Sequence, residues 1–170
     1  MLRGGIFGPG GSGKTTLARE LGIDYWTREK RRGLVLDPNQ EKWGPYFWQT
    51  TDEEKYKEIV WKEKECLVIV EEAASTIRRE NEWKPFFTRL RHRGHKLLVV
   101  GHSGSDLLPA MRQQLDCVWL FCQPPPAAKA WAENFPRHYD EVMACWELDQ
   151  HEFLYVTQWA APIKGKLFIG

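Results

Sequence analysis

The chain has 170 residues, a formal net charge of +1 and four cysteines. This length suits one compact domain with a substantial core. The near-neutral charge excludes a protein that coats nucleic acid by bulk positive charge alone. No apolar run reaches the length of a membrane span, and a glycine-rich segment lies where the apolar region of a signal peptide would be. We therefore expect a soluble, cytoplasmic protein whose cysteines are free thiols.

A glycine-rich loop near the start of the chain is the first chemical motif. Residues 8–15 read GPGGSGKT, which has the form G-x-x-x-x-G-K-T of a phosphate-binding loop. The loop follows a predicted strand at 4–7 and precedes a predicted helix at 16–21. Its glycines allow consecutive backbone N–H groups to face a polyphosphate, and the helix N-terminus adds partial positive charge. The predicted nucleotide-binding residues are Gly8, Pro9, Gly10, Gly11, Ser12, Gly13, Lys14, Thr15 and Thr16.

Two side chains of this loop have specific predicted roles. The ammonium group of Lys14 is expected to contact the β- and γ-phosphates, and the hydroxyl of Thr15 is expected to bind Mg²⁺. ATP and Mg²⁺ are therefore the predicted cofactors. The alternative is a glycine-rich turn that binds no ligand.

Apolar runs and polar segments alternate along the rest of the chain. Strands are predicted at 34–36, 66–70, 96–100, 117–121 and 152–156, and helices at 52–62, 75–79, 83–91, 105–115, 127–134 and 137–145. Continuous apolar strands separated by helices are typical of a parallel sheet with both faces covered. We expect an α/β protein with a three-layer P-loop NTPase fold and a mainly parallel central sheet. The ATPase domain would span 1–157, and 158–170 would be a C-terminal tail that packs on a neighbour or hangs loose.

An acid pair, Glu71 and Glu72, follows the apolar strand at 66–70 and is the second chemical motif. Ligands of open α/β sheets bind at the carboxyl ends of the strands. We predict that Glu71 binds the metal together with Thr15, and that Glu72 polarises the water that attacks the γ-phosphate. The alternative is two solvated acids at a helix start, where the helix dipole favours negative charge.

The acid pair also separates classes of P-loop protein. Small-molecule kinases and Ras-like GTPases typically lack a catalytic glutamate here. ATPases of the additional-strand class carry one, and they insert a strand between the phosphate-loop strand and the acid-bearing strand. The run at 96–102 fits that inserted strand and predicts His102 as a catalytic sensor near the γ-phosphate. A loop histidine without a role is the alternative.

Four stretches together carry a family resemblance: 8–15, 35–39, 70–73 and 91–102. On these the chain resembles the FtsK–HerA superfamily of P-loop ATPases, and within it the genome-packaging ATPases of tailless, membrane-containing viruses. Residues 106–121 also resemble the family, as a helix, an acidic turn and a strand. The chain departs from the family at two positions, since the family usually has Asp at the position of Glu71 and often has Gln at the position of His102.

The resemblance implies a homo-oligomeric ring that translocates double-stranded DNA, with a viral capsid or portal vertex as a further partner. In such rings an arginine of one subunit reaches the nucleotide of its neighbour and stabilises the transferring phosphoryl group. The catalytic candidates are Arg89, Arg91 and Arg93. Arg89 and Arg93 are four residues apart and would share a helix face. A solvated basic helix end is the alternative.

A second basic run, at residues 28–32, is a candidate contact for nucleic-acid phosphates in the channel of a ring. A solvated loop is the alternative. Trp26 lies beside this run and is expected either to stack on bases or to belong to the core.

The sequence thus predicts a Mg²⁺-dependent ATPase that packages a viral genome, located in the host cytoplasm or in the virion. One rival is a nucleotide or nucleoside kinase, but such a kinase needs a lid with arginines, and 28–32 lies too early for a lid. A non-motor nucleotide-binding assembly protein is another rival. A Zot-like phage assembly ATPase is a third, although that family is membrane-anchored.

Overall fold

The computed structural model describes residues 3–78 and 81–169. Within them, the strands are β1 (Arg3–Phe7), β2 (Gly33–Leu36), β3 (Phe47–Thr50), β4 (Leu67–Val70), β5 (Lys96–Gly101), β6 (Cys117–Phe121), β7 (Glu152–Thr157) and β8 (Ile163–Lys166). They form one sheet in the order β3-β2-β4-β5-β1-β6-β7-β8. Strands β1 to β6 are parallel, whereas β7 and β8 pair antiparallel to their neighbours. The predicted α/β fold with a mainly parallel sheet is confirmed.

Two layers of helices cover this sheet. The α-helices are α1 (Lys14–Glu29), α2 (Glu53–Lys62), α3 (Ala73–Thr76), α4 (Lys84–Thr88), α5 (Pro109–Arg112), α6 (Pro125–Asn134) and α7 (Tyr139–Met143). Helix α1 packs on one face of the sheet through Leu17 and Ala18. Helices α2, α4 and α6 pack on the other face, where Trp131 contacts Phe7 with ring centroids 4.6 Å apart. Because both faces are covered, all residues of β4 and β6 are buried, as their apolar sequences predict.

Several helices are shorter than their sequences predict. The predicted helix at 83–91 is divided into a 3-10 turn at Asn81–Trp83, α4, and a 3-10 turn at Leu90–Arg93 that ends at Gly94. The predicted helix at 105–115 is reduced to a 3-10 turn at Gly104–Asp106 followed by α5, because Pro109 starts a new helix. The predicted helix at 75–79 is displaced, because α3 spans Ala73–Thr76 and shares only 75–76 with it. Residue 79 of that prediction lies outside the described residues.

Two strands were not predicted, and both lie at the ends of the sheet. Strand β3 pairs with β2, and β8 pairs with β7. Strand β8 lies within the predicted tail, so part of that tail is an edge strand of this chain's own sheet. Its glycine permits a close side-chain contact, since a Cβ on Gly165 would lie 2.4 Å from the ring of Phe153.

The two ends of the strands define two opposite sides of the sheet, which are named here as edges. Strands β1, β2, β4, β5 and β6 end at what we call the carboxyl edge, where β7 begins and β8 ends. Strand β5 lies between β1 and β4 and pairs in parallel with both. The loops after β1, β4 and β5 therefore meet at the carboxyl edge. None of the helices at 3–78 and 81–169 is long and apolar enough to cross a membrane.

Candidate nucleotide-binding site

The glycine-rich loop connects β1 to α1 at the carboxyl edge. Gly13 precedes α1 in the left-handed conformation (φ 105°), which a residue with a Cβ rarely adopts, and its carbonyl accepts the first helical hydrogen bond from Leu17 N at 2.9 Å. Gly8 has no room for a side chain, since a Cβ there would lie 2.6 Å from Cβ of Phe121. The loop thus folds back over the N-terminus of α1, where backbone N–H groups attract anions.

Lys14 lies folded onto this loop. Its Nζ donates to the carbonyl of Pro9 at 2.8 Å. Desolvation lowers the pKa of Lys14, and the nearby carboxylates of Glu71, Glu72 and Asp106 oppose that shift. A partly desolvated ammonium group with one carbonyl partner gains stabilisation when phosphate oxygens replace that partner.

Thr15 and Glu71 meet beside the loop. The Thr15 hydroxyl lies within hydrogen-bonding reach of the Glu71 carboxylate, which is 4% exposed. Burial raises the Glu71 pKa to about 7. The bond from Thr15 partly offsets this rise, while the charges of Asp37, Glu41 and Glu72 add to it. The Oε1 atom of Glu71 is buried with no hydrogen-bond partner. A buried carboxylate oxygen without a partner beside a hydroxyl is an oxygen donor set that suits Mg²⁺.

No three His, Cys, Asp or Glu residues converge as a metal-ligand cluster in the part of the chain that the structure describes. A cation at Glu71 would therefore take its remaining ligands from phosphate and water, which is how Mg²⁺ is usually held at phosphate sites.

Glu72 and His102 face each other next to the loop. Oε2 of Glu72 lies 3.5 Å from Nε2 of His102, and the two side chains are 30% and 48% exposed. Glu72 adopts φ 52° at the start of α3, a left-handed conformation that is uncommon for a residue other than glycine. The two acids of the pair thus lie in different environments. Glu71 is buried beside Thr15, whereas Glu72 is partly exposed and faces His102.

Two residues that the sequence did not predict hold the His102 loop. Oδ2 of Asp106 accepts from the backbone N–H of His102 at 2.7 Å and from that of Ser103 at 3.1 Å. Gln123, which is buried at the end of β6, donates from Nε2 to the His102 carbonyl at 3.2 Å. Ser103 and Asp106 form a capping box, a pattern that was available in the sequence as S-x-x-D.

Another missed residue shapes the far side of the site. Asp37 ends β2 and is 2% exposed. It accepts hydrogen bonds from the backbone of Asn39 and Glu41 and from the indole of Trp43. The loop that it folds brings Glu41 to a cavity of about 240 Å³, lined by Gly11, Gly13, Lys14, Thr15, Thr16, Glu41 and Ile169.

The three candidate arginines do not lie at this chain's own loop. They precede β5, which spans Lys96–Gly101, so they lie at the opposite edge of the sheet, about 20 Å from the carboxyl edge at strand geometry. Arg93 donates to the carbonyls of Lys62 and Glu63 at 2.8 and 3.0 Å, which ties it to the end of α2. Arg89 and Arg93 do not share an α-helix face, because α4 ends at Thr88. Their action on a neighbour stays a prediction.

The basic run at 28–32 lies at this same opposite edge, which we call the amino edge. It begins in the exposed last turn of α1 and leads into β2. Arg28 pairs with Asp24 at 2.9 Å, and Arg31 pairs with Glu65 at 2.6 Å. Trp26 is half-buried and packs against Tyr46 with ring centroids 5.6 Å apart.

Comparison with known proteins gives no matching family model and no matching curated protein. Solved structures do match. The genome packaging NTPase B204 of Sulfolobus turreted icosahedral virus 2, in complex with AMPPCP, aligns with TM-score 0.79 and 16% identity, over 98% of this chain and 97% of that one. The DNA-packaging ATPase B204 of Sulfolobus turreted icosahedral virus aligns with TM-score 0.77 and 18% identity, over 98% of both chains.

A structure with lower sequence identity has the same fold. VirB4 of Thermoanaerobacter pseudethanolicus aligns with TM-score 0.71 and 9% identity, over 99% of this chain and 90% of that one. At such identities the likeness concerns the fold alone. The chain therefore has the same P-loop α/β fold as these solved structures.

Proposed function

We propose that this chain is a Mg²⁺-dependent ATPase and the motor subunit of a machine that moves double-stranded DNA into a viral capsid. One observation carries the enzymatic part. The loop at the start of α1, the Thr15–Glu71 pair with its unpartnered carboxylate oxygen, and the Glu72–His102 pair all meet at the carboxyl edge. The roles in packaging and in DNA movement are inferred from the structural likeness to the B204 proteins, which are packaging enzymes by name.

The residues divide the chemistry between them. Backbone N–H groups of the loop bind the phosphates, and Lys14 exchanges the Pro9 carbonyl for β- and γ-phosphate oxygens. Thr15 and Glu71 would hold Mg²⁺, which when bound neutralises charge on those oxygens. The Glu72 carboxylate accepts a proton from water as the water oxygen attacks the γ-phosphorus, and the bond to the bridging β–γ oxygen breaks to leave ADP and phosphate.

We infer that His102 reports the outcome of this step. Its ring lies within 3.5 Å of Glu72, and its backbone is fixed by Asp106 and Gln123. A change in charge at Glu72 or at the γ-phosphate therefore acts first on a residue at the end of β5. The amino-edge end of that strand follows the arginine segment directly.

A basic surface supports the DNA partner. Residues that precede β2, β4 and β5 lie side by side, because these strands are neighbours in the sheet. Glu65 links two of the segments, since its side chain pairs with Arg31 and its backbone N–H donates to the Arg93 carbonyl at 3.0 Å. We define the basic edge as Arg28, Lys30, Arg31, Arg32, Arg89, Arg91, Arg93 and Lys96. Clustered Lys and Arg side chains of this kind bind phosphate backbones in a salt-dependent manner.

The test is phosphate release from ATP, with and without double-stranded DNA. Glu72→Gln keeps the size of the side chain and removes the base. It should bind ATP with Mg²⁺ but hydrolyse it at least about a hundredfold more slowly. Lys14→Ala should lose nucleotide binding while staying folded. Wild-type hydrolysis by Glu72→Gln would contradict the assigned role.

The DNA part is tested by DNA binding at a series of salt concentrations, with a second pair of variants. Arg32→Gln with Arg91→Gln removes two charges of the basic edge and should reduce both DNA binding and the steepness of its salt dependence. Lys129→Gln removes one surface charge from α6, away from that edge, and is the control for a loss of charge elsewhere. Equal DNA affinity of the two variants would contradict the basic edge as the DNA contact.

A further inference from the structure

The C-terminal segment lies directly on the phosphate loop. A Cβ at Gly13 would come within 2.7 Å of Leu167 Cδ1 and 3.5 Å of Ile169 Cδ1. Leu167 is held there by its backbone N–H, which donates to the His151 carbonyl at 2.9 Å. The ring of His151 in turn donates from Nδ1 to the Ser12 carbonyl at 3.0 Å. Three parts of the chain, the loop, the start of β7 and the end of β8, therefore form one contact.

This contact lies on the side of the loop opposite to the catalytic groups. Strand β1 has β5 and then β4 on one side, which bring His102, Glu71 and Glu72. On its other side it has β6, β7 and β8, which bring His151, Leu167 and Ile169. Leu167 packs on the α1 face of the sheet, the face on which the loop opens.

The orientation of a bound nucleoside triphosphate follows from this placement. Phosphate loops bind the α- and β-phosphates on the backbone, and they direct the γ-phosphate toward the lysine and the metal-binding hydroxyl. Here the metal-binding side is the side of Glu71 and Glu72. The α-phosphate and the nucleoside must therefore extend toward Thr16 and the C-terminal segment. Thr16 and Ile169 line one cavity of about 240 Å³ together with Lys14, Thr15 and Glu41, so the C-terminal segment borders the phosphate site itself.

Resting on the proposed nucleotide binding, we infer that Leu167 and Ile169 form the wall against which the nucleoside packs. Ile169 is 50% exposed although it is a large apolar side chain. A purine face laid against it would remove that apolar area from water, which is favourable. The C-terminal segment is then a specificity element of the active site, which distinguishes a nucleotide from a bare polyphosphate.

A comparison of ADP binding with pyrophosphate binding, each with Mg²⁺, separates the contribution of the nucleoside from that of the two phosphates. Ile169→Ala should lower the affinity for ADP about four- to fifteenfold. This range corresponds to the loss of contact with one to two methylene groups. It should leave pyrophosphate affinity unchanged. Phe168→Ala is the matched control, because Phe168 is adjacent in sequence but 94% exposed and does not line the cavity. It should bind both ligands like the wild type.

The outcomes are distinguishable by calorimetry. Unchanged ADP affinity in Ile169→Ala would overturn the inference, and so would an equal loss of ADP and pyrophosphate binding, which would indicate a damaged loop. A loss in Phe168→Ala as large as that in Ile169→Ala would also overturn it. If the wild type binds ADP but releases no phosphate from ATP, the proposed hydrolysis is wrong. The inference about Leu167 and Ile169 is still tested, because binding of ADP and pyrophosphate does not depend on hydrolysis.

Discussion

Burial holds the Glu71 carboxyl close to half-protonation at neutral pH. Its pKa is raised from 4.5 to about 7, with burial as the largest cause. Between these two values the unfolded chain has lost the proton that the folded chain keeps. The folded state is therefore stabilised less as pH rises through this interval, and above it the full penalty for burying the charge persists.

We predict that Glu71→Gln removes this pH dependence. The free energy of unfolding of the variant relative to the wild type should rise by about 3 kcal/mol between about pH 4.5 and 7, since each pKa unit corresponds to about 1.4 kcal/mol. Denaturant unfolding of both proteins without nucleotide, at a series of pH values, measures the difference. Parallel curves would show that the pKa of Glu71 is the same in the folded and the unfolded chain.

At the residue scale the motifs of the sequence located the site, but they did not supply its organisation. The spacing G-x-x-x-x-G-K-T and the apolar run before Glu71 are local patterns, so Lys14, Thr15 and the acid pair could be identified from them. Asp37 holds the backbone of its own loop at Asn39 and Glu41, whereas Gln123 acts through the backbone carbonyl of His102, which lies 21 residues earlier in the chain. No local pattern encodes the latter contact.

At the scale of elements, the loop after β5 is the part of the site that a single side chain controls. Asp106 accepts two backbone hydrogen bonds there, from His102 and Ser103. These fix the position of His102 relative to Glu72, and the same carboxylate also acts electrostatically on Lys14. Asp106 is therefore a positioning residue.

We predict that Asp106→Ala lowers the rate of hydrolysis by about tenfold or more, with a smaller effect on nucleotide affinity. A displaced catalytic group reduces the rate even when binding is retained. Steady-state rates and ADP affinities should be compared with those of Asp140→Ala, which removes an exposed carboxylate from α7. A loss of affinity as large as the loss of rate would instead indicate that the whole loop has collapsed.

Elements were predictable where one periodicity covers the whole segment. The buried strands β4, β5 and β6 are continuous apolar runs, and their bounds differ from the prediction by one residue at most. Strand β8 reads IKGK and is stabilised by pairing with β7, so its sequence alone does not indicate a strand. The helix at 105–115 failed because Pro109 begins a helix as readily as it ends one.

At the scale of the molecule, the nucleotide site and the basic edge lie at opposite ends of the same helix. Helix α1 starts at Lys14 and ends at Glu29, within the basic run, and its 16 residues span about 24 Å. Strand β5 makes a second connection, from the arginine segment to His102. A change at the phosphates thus has two rigid paths to the edge proposed to hold DNA.

The distance between these edges bears on the arginine prediction. Arg89 and Arg91 are exposed at the amino edge, far from this chain's own phosphate loop. If either stabilises the transferring phosphoryl group, it does so on another subunit, in which case the active site is shared. Arg93 is less suited to this role because it already binds the carbonyls at the end of α2.

A mixing experiment tests the shared site. The double variant Arg89→Ala with Arg91→Ala lacks the candidate arginines but keeps Glu72, whereas Glu72→Gln keeps the arginines and lacks the base. Each alone should hydrolyse ATP slowly, by about a thousandfold for the arginine variant if it supplies an arginine finger. In a mixed oligomer, an arginine of a Glu72→Gln subunit faces an intact Glu72 on its neighbour. Mixing should therefore restore phosphate release, most strongly at intermediate ratios of the two variants. Wild-type activity of the arginine double variant alone would show that another group stabilises the transferring phosphoryl group.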